Sequence, residues 1–262
     1  MELTHVTIFF MKYTLLIYFV FSMTNQFFTS SYSLKETIEQ NKGQVVALCY
    51  HNIRQNTGRE DLLFISEALL DQQMKFLFDN GYHAVSPDQL LRHFSIGDTL
   101  PLKPIIISFD DTHEEHYSIA KQILEKYGFK GVFFVMTVSI NKRNYMTAAQ
   151  IKELSDSGHT IGAHTWDHPD LTTLMNKDWE LQVDQPKQEL KEITAKAVES
   201  FAYPFGAWNE HVIAELKKRG IKIAFQLTGK QSADEPLMTC RRLMVSGKWT
   251  LLEFKNNISR TF

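Results

Sequence analysis

From residue 44 onward the chain alternates short apolar runs with amphipathic stretches, and the alternation predicts its elements. "VVALCY" (45–50), "IIISF" (105–109), "GVFFVM" (131–136) and "HTIGA" (159–163) are short, uninterrupted and rich in β-branched or aromatic residues. Such runs are expected of strands covered on both faces. "HAVS" (83–86), "IKIAFQ" (221–226) and "CRRLMVS" (240–246) predict further strands. Between them lie helical patterns. "ISEALLDQQMKFLFDNGY" is expected as a helix capped by Ser66, with Leu69, Leu70, Met74, Leu77 and Phe78 inward and Asn80-Gly81 closing it. "PDQLLRHF", "EEHYSIAKQILEKYG", "TAAQIKELSDSG", the polar segment from about Lys177 to Glu199, "NEHVIAELKKRG" and "TLLEFKNN" predict the others. No repeat or long flexible linker interrupts the series. Strands alternating with helices predict an α/β domain, a parallel barrel or a doubly wound sheet, over residues 44–262.

The first 33 residues break the pattern. After Lys12, "YTLLIYFVFSM" is too short for a comfortable membrane span but suits the core of a secretory signal, and small and polar residues follow through "TSSYS". Residues 1–33 are expected to be a signal peptide or an N-terminal membrane anchor, with Met11-Lys12 a more usual start than Met1-Glu2. The protein is therefore expected outside the cytoplasm, and membrane association through the N-terminus stays open. The 262 residues are 44% hydrophobic and 22% charged, with a formal net charge of -2. That balance supports one sizeable core and gives no electrostatic reason to expect nucleic acid as a partner. Two cysteines, Cys49 and Cys240, are too few for a disulfide framework or a cysteine zinc site, and read as buried thiols more readily than as a bridge.

Chemistry concentrates where strands end. In "IIISFDDTHEEHY", Asp110 and Asp111 stand where a buried strand emerges, the edge at which parallel α/β folds bind ligands. One acid could cap the next helix, but two adjacent like charges are costly unless a cation or a shared proton relieves them. In "GHTIGAHTWDHPDLTTL", His164 and His168 lie four residues apart just beyond a strand, a spacing that lets two imidazoles grip one ion. Two histidines with a carboxylate form a three-ligand site with an open position. Alone, "YPFG" (203–206) is a Pro-x-Gly turn.

Taken in order, "SFDD" (108–111), "HTWDH" (164–168) and "YPFG" resemble the successive motifs of the polysaccharide deacetylase family, the NodB-homology carbohydrate esterases. "CYHNI" (49–53) further resembles the exported poly-β-1,6-N-acetylglucosamine deacetylases, a branch with a partly permuted motif order. The resemblance spans the region from Gln44 to the C-terminus. It implies a distorted (β/α) barrel and metal-dependent N-deacetylation of N-acetylglucosamine units in a polysaccharide. It makes Asp111, His164 and His168 the metal ligands and Asp110 the general base. The Phe205 N–H would stabilise the oxyanion, and His51 would be the general acid. Zinc is the expected metal, with cobalt, nickel or iron accepted by the same donor set. Chitin, peptidoglycan, acetylated xylan or a catalytically silent carbohydrate-binding role are the alternatives.

Three positions depart from the family pattern. Ala202 stands where many members carry a base-orienting arginine, and Arg241 or Arg242 could replace it in space. No histidine follows His211, which moves the acid to His51. Thr112 replaces the usual glycine after the acids. His113 and His116 are expected on the surface or supporting the site, and His159 as a strand anchor. Tyr203, Trp166 and Trp208 are expected either to pack or to stack on sugar rings.

Overall fold

A computed structural model describes residues 45–54, 61–174 and 178–261. The predicted signal peptide or anchor at residues 1–33 lies outside the described residues. Among the described residues, no helix is long and apolar enough to cross a membrane.

Among the described residues, ten strands form the framework: β1 (Val46–Tyr50), β2 (Asn52–Arg54), β3 (Phe64–Ser66), β4 (His83–Ala84), β5 (Pro104–Phe109), β6 (Val132–Val135), β7 (Thr160–Ala163), β8 (Ser200–Ala202), β9 (Ile223–Phe225) and β10 (Leu243–Met244). Eight belong to one all-parallel sheet ordered β10-β1-β5-β6-β7-β8-β9, with β4 paired to the start of β5. Cys240 bridges Phe225 at the β9 edge, and three residues later Leu243 pairs with Leu48 of β1. The curled sheet thus has its two edges linked through one short segment, as expected of a distorted (β/α) barrel. β2 and β3 form a small separate parallel pair.

The apolar runs explain the layering. Along β5, Ile105, Ile107 and Phe109 join the large core beneath the helices, while Ile106 joins a second cluster with Ala47, Phe134, Ala202 and Phe225. Residues two apart share a face. Ser108, and beyond the strand end Asp110, continue the face of Ile106.

The helices are α1 (Glu67–Asp79), α2 (Pro87–Ile96), α3 (Lys121–Lys126), α4 (Ala148–Asp156), α5 (Gln185–Thr194), α6 (Glu210–Lys218) and α7 (Leu251–Thr261). Ser66 caps α1 by accepting from the Leu69 N–H, and Ser86 and Thr147 form capping boxes on α2 and α4. Some expectations need correction. Phe78 is 56% exposed, and Gln73 takes the fourth inward position of α1 beside Leu70, Met74 and Leu77. The helix expected to reach Glu199 ends at Thr194, where Ala195 turns left-handed and β8 follows. The helix expected after the acids opens instead with a single π turn, His116–Ala120, before α3.

Candidate active site

The loops leaving β5 and β7 bring two acids and two imidazoles together. His164 Nε2 lies 3.5 Å from Asp111 Oδ1, and His168 Nε2 lies 3.8 Å from the same oxygen. One donor atom from each of Asp111, His164 and His168 lies within 4.8 Å of the others. Ligand atoms around a tetrahedral ion with bonds of about 2.1 Å stand roughly 3.4 Å apart, so these spacings fit a divalent cation. The tautomer fits too. His164 Nδ1 donates to the Ala202 carbonyl oxygen at 2.8 Å, so in the neutral ring the free nitrogen is Nε2, the one turned toward Asp111.

Backbone shape sets this geometry. Asp111, Thr112, Thr165, His168 and Phe205 all adopt positive φ, between 58° and 77°. Left-handed conformations are costly for residues with a Cβ and persist only where neighbours enforce them. At Thr112, where the family has glycine, the fully buried side chain supplies that enforcement. Its Oγ1 accepts from the Met136 N–H at 2.8 Å and donates to the Met136 carbonyl at 3.3 Å. Thr165 Oγ1 accepts from the His168 N–H at 2.9 Å and fixes the second loop.

Asp110 faces inward and does not cap a helix. Arg242 Nη1 and Nη2 donate to its two carboxylate oxygens, each at 2.7 Å, and both residues are almost completely buried. The Cys49 thiol contributes a third, weaker contact at 3.4 Å. Burial alone would raise the Asp110 pKa, but the Arg242 charge, the His164 charge and the paired hydrogen bonds bring it to about 2. Asp111 is likewise held below the usual carboxylate range, its burial outweighed by His164, His51 and His168. Of the two arginines considered as replacements for the family's arginine, Arg242 is the one paired with Asp110. It sits on the segment linking the two edges of the sheet, also donating to the Gln226 carbonyl and to Ser108 Oγ.

His51 arrives from the end of β1, with a ring nitrogen within 4.8 Å of Asp110 and Cys49. A second cation among Cys49, His51 and Asp110 does not fit. Both Asp110 oxygens face Arg242, and burial pushes the Cys49 thiol far up. Phe205 lies at the rim, 67% exposed, its ring edge-on to His168 at 4.6 Å.

The remaining histidines and aromatics sort themselves by contact. His159 Nδ1 accepts from the Gly131 N–H at 2.9 Å, as expected of a strand anchor. His113 stacks on Tyr145. His116 is completely buried rather than on the surface, and its Nε2 donates to the His51 carbonyl at 2.5 Å. Tyr203 packs, its hydroxyl donating to the Met238 carbonyl, and Trp208 Nε1 donates to Gln226. Cys49 and Cys240 are both free and buried. The contacts of Cys49 and His116 were not foreseen from sequence.

Comparison with known proteins points to one family. Residues 97–224 match the family described as polysaccharide deacetylase. YxkH of Bacillus subtilis, which carries a provisional polysaccharide deacetylase name, is 27% identical over 200 residues, covering 76% of this chain and 70% of YxkH. The poly-β-1,6-N-acetyl-D-glucosamine N-deacetylase of Staphylococcus aureus is 22% identical, covering 74% of this chain and 75% of that protein. The solved structure of BA0330 from Bacillus anthracis, also provisionally named a polysaccharide deacetylase, superposes with a TM-score of 0.70 at 30% identity. It covers 82% of this chain and 69% of that one.

Proposed function

The chain belongs to the polysaccharide deacetylase family and is a hydrolytic enzyme; from that premise we propose that it removes acetyl groups from N-acetylglucosamine units of a β-1,6-linked polysaccharide outside the cytoplasm. The linkage rests on the resemblance of "CYHNI" and on similarity to the Staphylococcus aureus enzyme named above. The export rests on the apolar segment within residues 1–33, read as a signal or anchor. The observation that carries the chemistry is the pairing of a three-donor cluster, Asp111, His164 and His168, with a buried carboxylate held ionised by Arg242.

In this reading those three residues hold a divalent cation, zinc by default. When bound, the cation supplies Lewis acidity toward the acetamide carbonyl and lowers the pKa of a water at the site. The Asp110 carboxylate takes the proton of the attacking water, and its low pKa keeps it ionised and ready at neutral pH. Arg242 holds that carboxylate in one orientation. The Phe205 N–H donates to the developing oxyanion, and its left-handed turn is kept by Gly206, where a Cβ would fall 2.8 Å from the Leu227 nitrogen. His51 delivers a proton to the departing glucosamine nitrogen. Burial lowers its pKa, while the neighbouring Asp110 and Asp111 charges favour the protonated ring that this role needs.

An Asp110→Asn variant tests the assignment. Acetate release should fall by roughly a hundredfold or more while one metal ion per chain is retained. Unchanged acetate release would remove Asp110 from the chemistry, and sugar binding without turnover in the unmodified chain would mark a silent binder.

A further inference from the structure

We infer that His116 is a positioning residue for His51, clamping the backbone at the end of β1 so that the imidazole stays beside Asp110; this rests on the reading of His51 as the general acid. The backbone at this point explains the need. The Tyr50 carbonyl is the last of β1 to be satisfied by β5, accepting from the Asp110 N–H at 2.9 Å. One residue later the chain leaves that ladder, and the Asn52 N–H donates to the Leu63 carbonyl at 2.9 Å as β2 pairs with β3. The His51 carbonyl lies between the two sheets, and a buried carbonyl without a donor is costly.

His116 supplies the donor from the first position of the π turn, an irregularity that recurs at functional sites. Since Nε2 faces a carbonyl oxygen it must carry the proton, which fixes the tautomer. The ring is wedged against Phe109 at 5.4 Å and Phe133 at 6.2 Å between centroids, and against His113 at 5.6 Å. Burial lowers its pKa to about 3, so it remains a neutral, fixed donor across the working range. The His116 ring and the His51 backbone are thereby joined by one hydrogen bond, which any swing of that backbone breaks.

A merely structural histidine and a positioning one differ in a double-mutant cycle. Acetate release from a β-1,6-linked N-acetylglucosamine oligomer is measured on the full chain loaded with zinc, with metal content and thermal midpoint determined for each variant. His116→Leu should lower kcat roughly tenfold or more with KM within about twofold, because misplacing a catalytic group costs turnover rather than binding. His116→Gln, whose amide nitrogen reaches the position of Nε2, should restore most of kcat, and His116→Asn, which is too short, should not. In a His51→Ala background, His116→Leu should cost nothing further. An unchanged kcat in His116→Leu, or an equal loss with and without His51, would overturn the inference. Wild-type kcat in His51→Ala would overturn instead the reading of His51 as the acid. Should His116→Leu fail to fold, the contrast between Gln and Asn carries the same decision.

Discussion

Replacing Arg242 by methionine isolates the interaction on which the proposed base, Asp110, depends. In the folded protein Asp110 and Arg242 are 2% and 1% exposed and share two hydrogen bonds of 2.7 Å. Methionine fills much of the same volume beside Phe134 but leaves the carboxylate buried without its cation. Breaking a buried pair from one side costs about 3–5 kcal/mol, because the remaining charge is desolvated and uncompensated. For a domain of this size, each kcal/mol is worth roughly 2–4 °C, so the thermal midpoint should fall by roughly 6–20 °C. With Asp110 as the proposed base, turnover should fall at least tenfold, since the carboxylate is no longer oriented and its proton affinity rises. Urea unfolding of the metal-free chain measures the first effect and acetate release the second. The decisive control is Asp110→Asn in the Arg242→Met background, which removes the stranded charge and should recover more than half of the lost stability. A loss below about 1 kcal/mol in Arg242→Met, or no recovery in the double variant, would refute the reasoning that this pair is mutually dependent.

Other consequences follow from neighbouring contacts. The Asp110 pKa is depressed from 3.8 to about 2 on folding, so its contribution is present above about pH 4 and lost as pH falls toward 2. The stability difference between wild type and Asp110→Asn, measured metal-free, should shrink by about 1 kcal/mol between pH 6 and pH 3. Thr112→Val keeps the shape but strips both hydrogen bonds to Met136, and should cost about 1–3 kcal/mol in urea unfolding. Gly247→Ala would place a Cβ 1.6 Å from the Phe64 carbonyl oxygen, a contact with backbone that cannot rotate away. The loss should reach or exceed about 3 kcal/mol, and a neutral result would mean that the loop carrying Gly247 shifts freely.

The sequence was most legible where local chemistry decided structure. The isoleucines of β5, the aromatic run of β6 and the Ser66 cap announce their elements without any knowledge of partners. The acids and the two histidines could be placed at strand ends because a parallel α/β chain puts its loops there. What stayed hidden depended on distant pairing. Arg241 or Arg242 was expected to stand in for the family's arginine, but which of them meets Asp110, across 132 residues, depends on the linking of the sheet edges. His116 was expected on the surface or supporting the site, and nothing local reveals the π turn from which its Nε2 reaches the His51 carbonyl. Phe78 failed differently: as the penultimate residue of α1 it points past the core edge, toward Tyr127 rather than into the sheet.

The central claim is that Asp111, His164 and His168 hold a cation that serves N-deacetylation with Asp110 as base. Acetate release from β-1,6- and β-1,4-linked N-acetylglucosamine oligomers, measured on the full chain before and after chelation and again after adding zinc, tests it most directly. The account predicts acetate from the β-1,6 oligomer, lost on chelation and restored by zinc. Acetate release that survives complete removal of the metal, or none from either oligomer with one metal bound per chain, would contradict it.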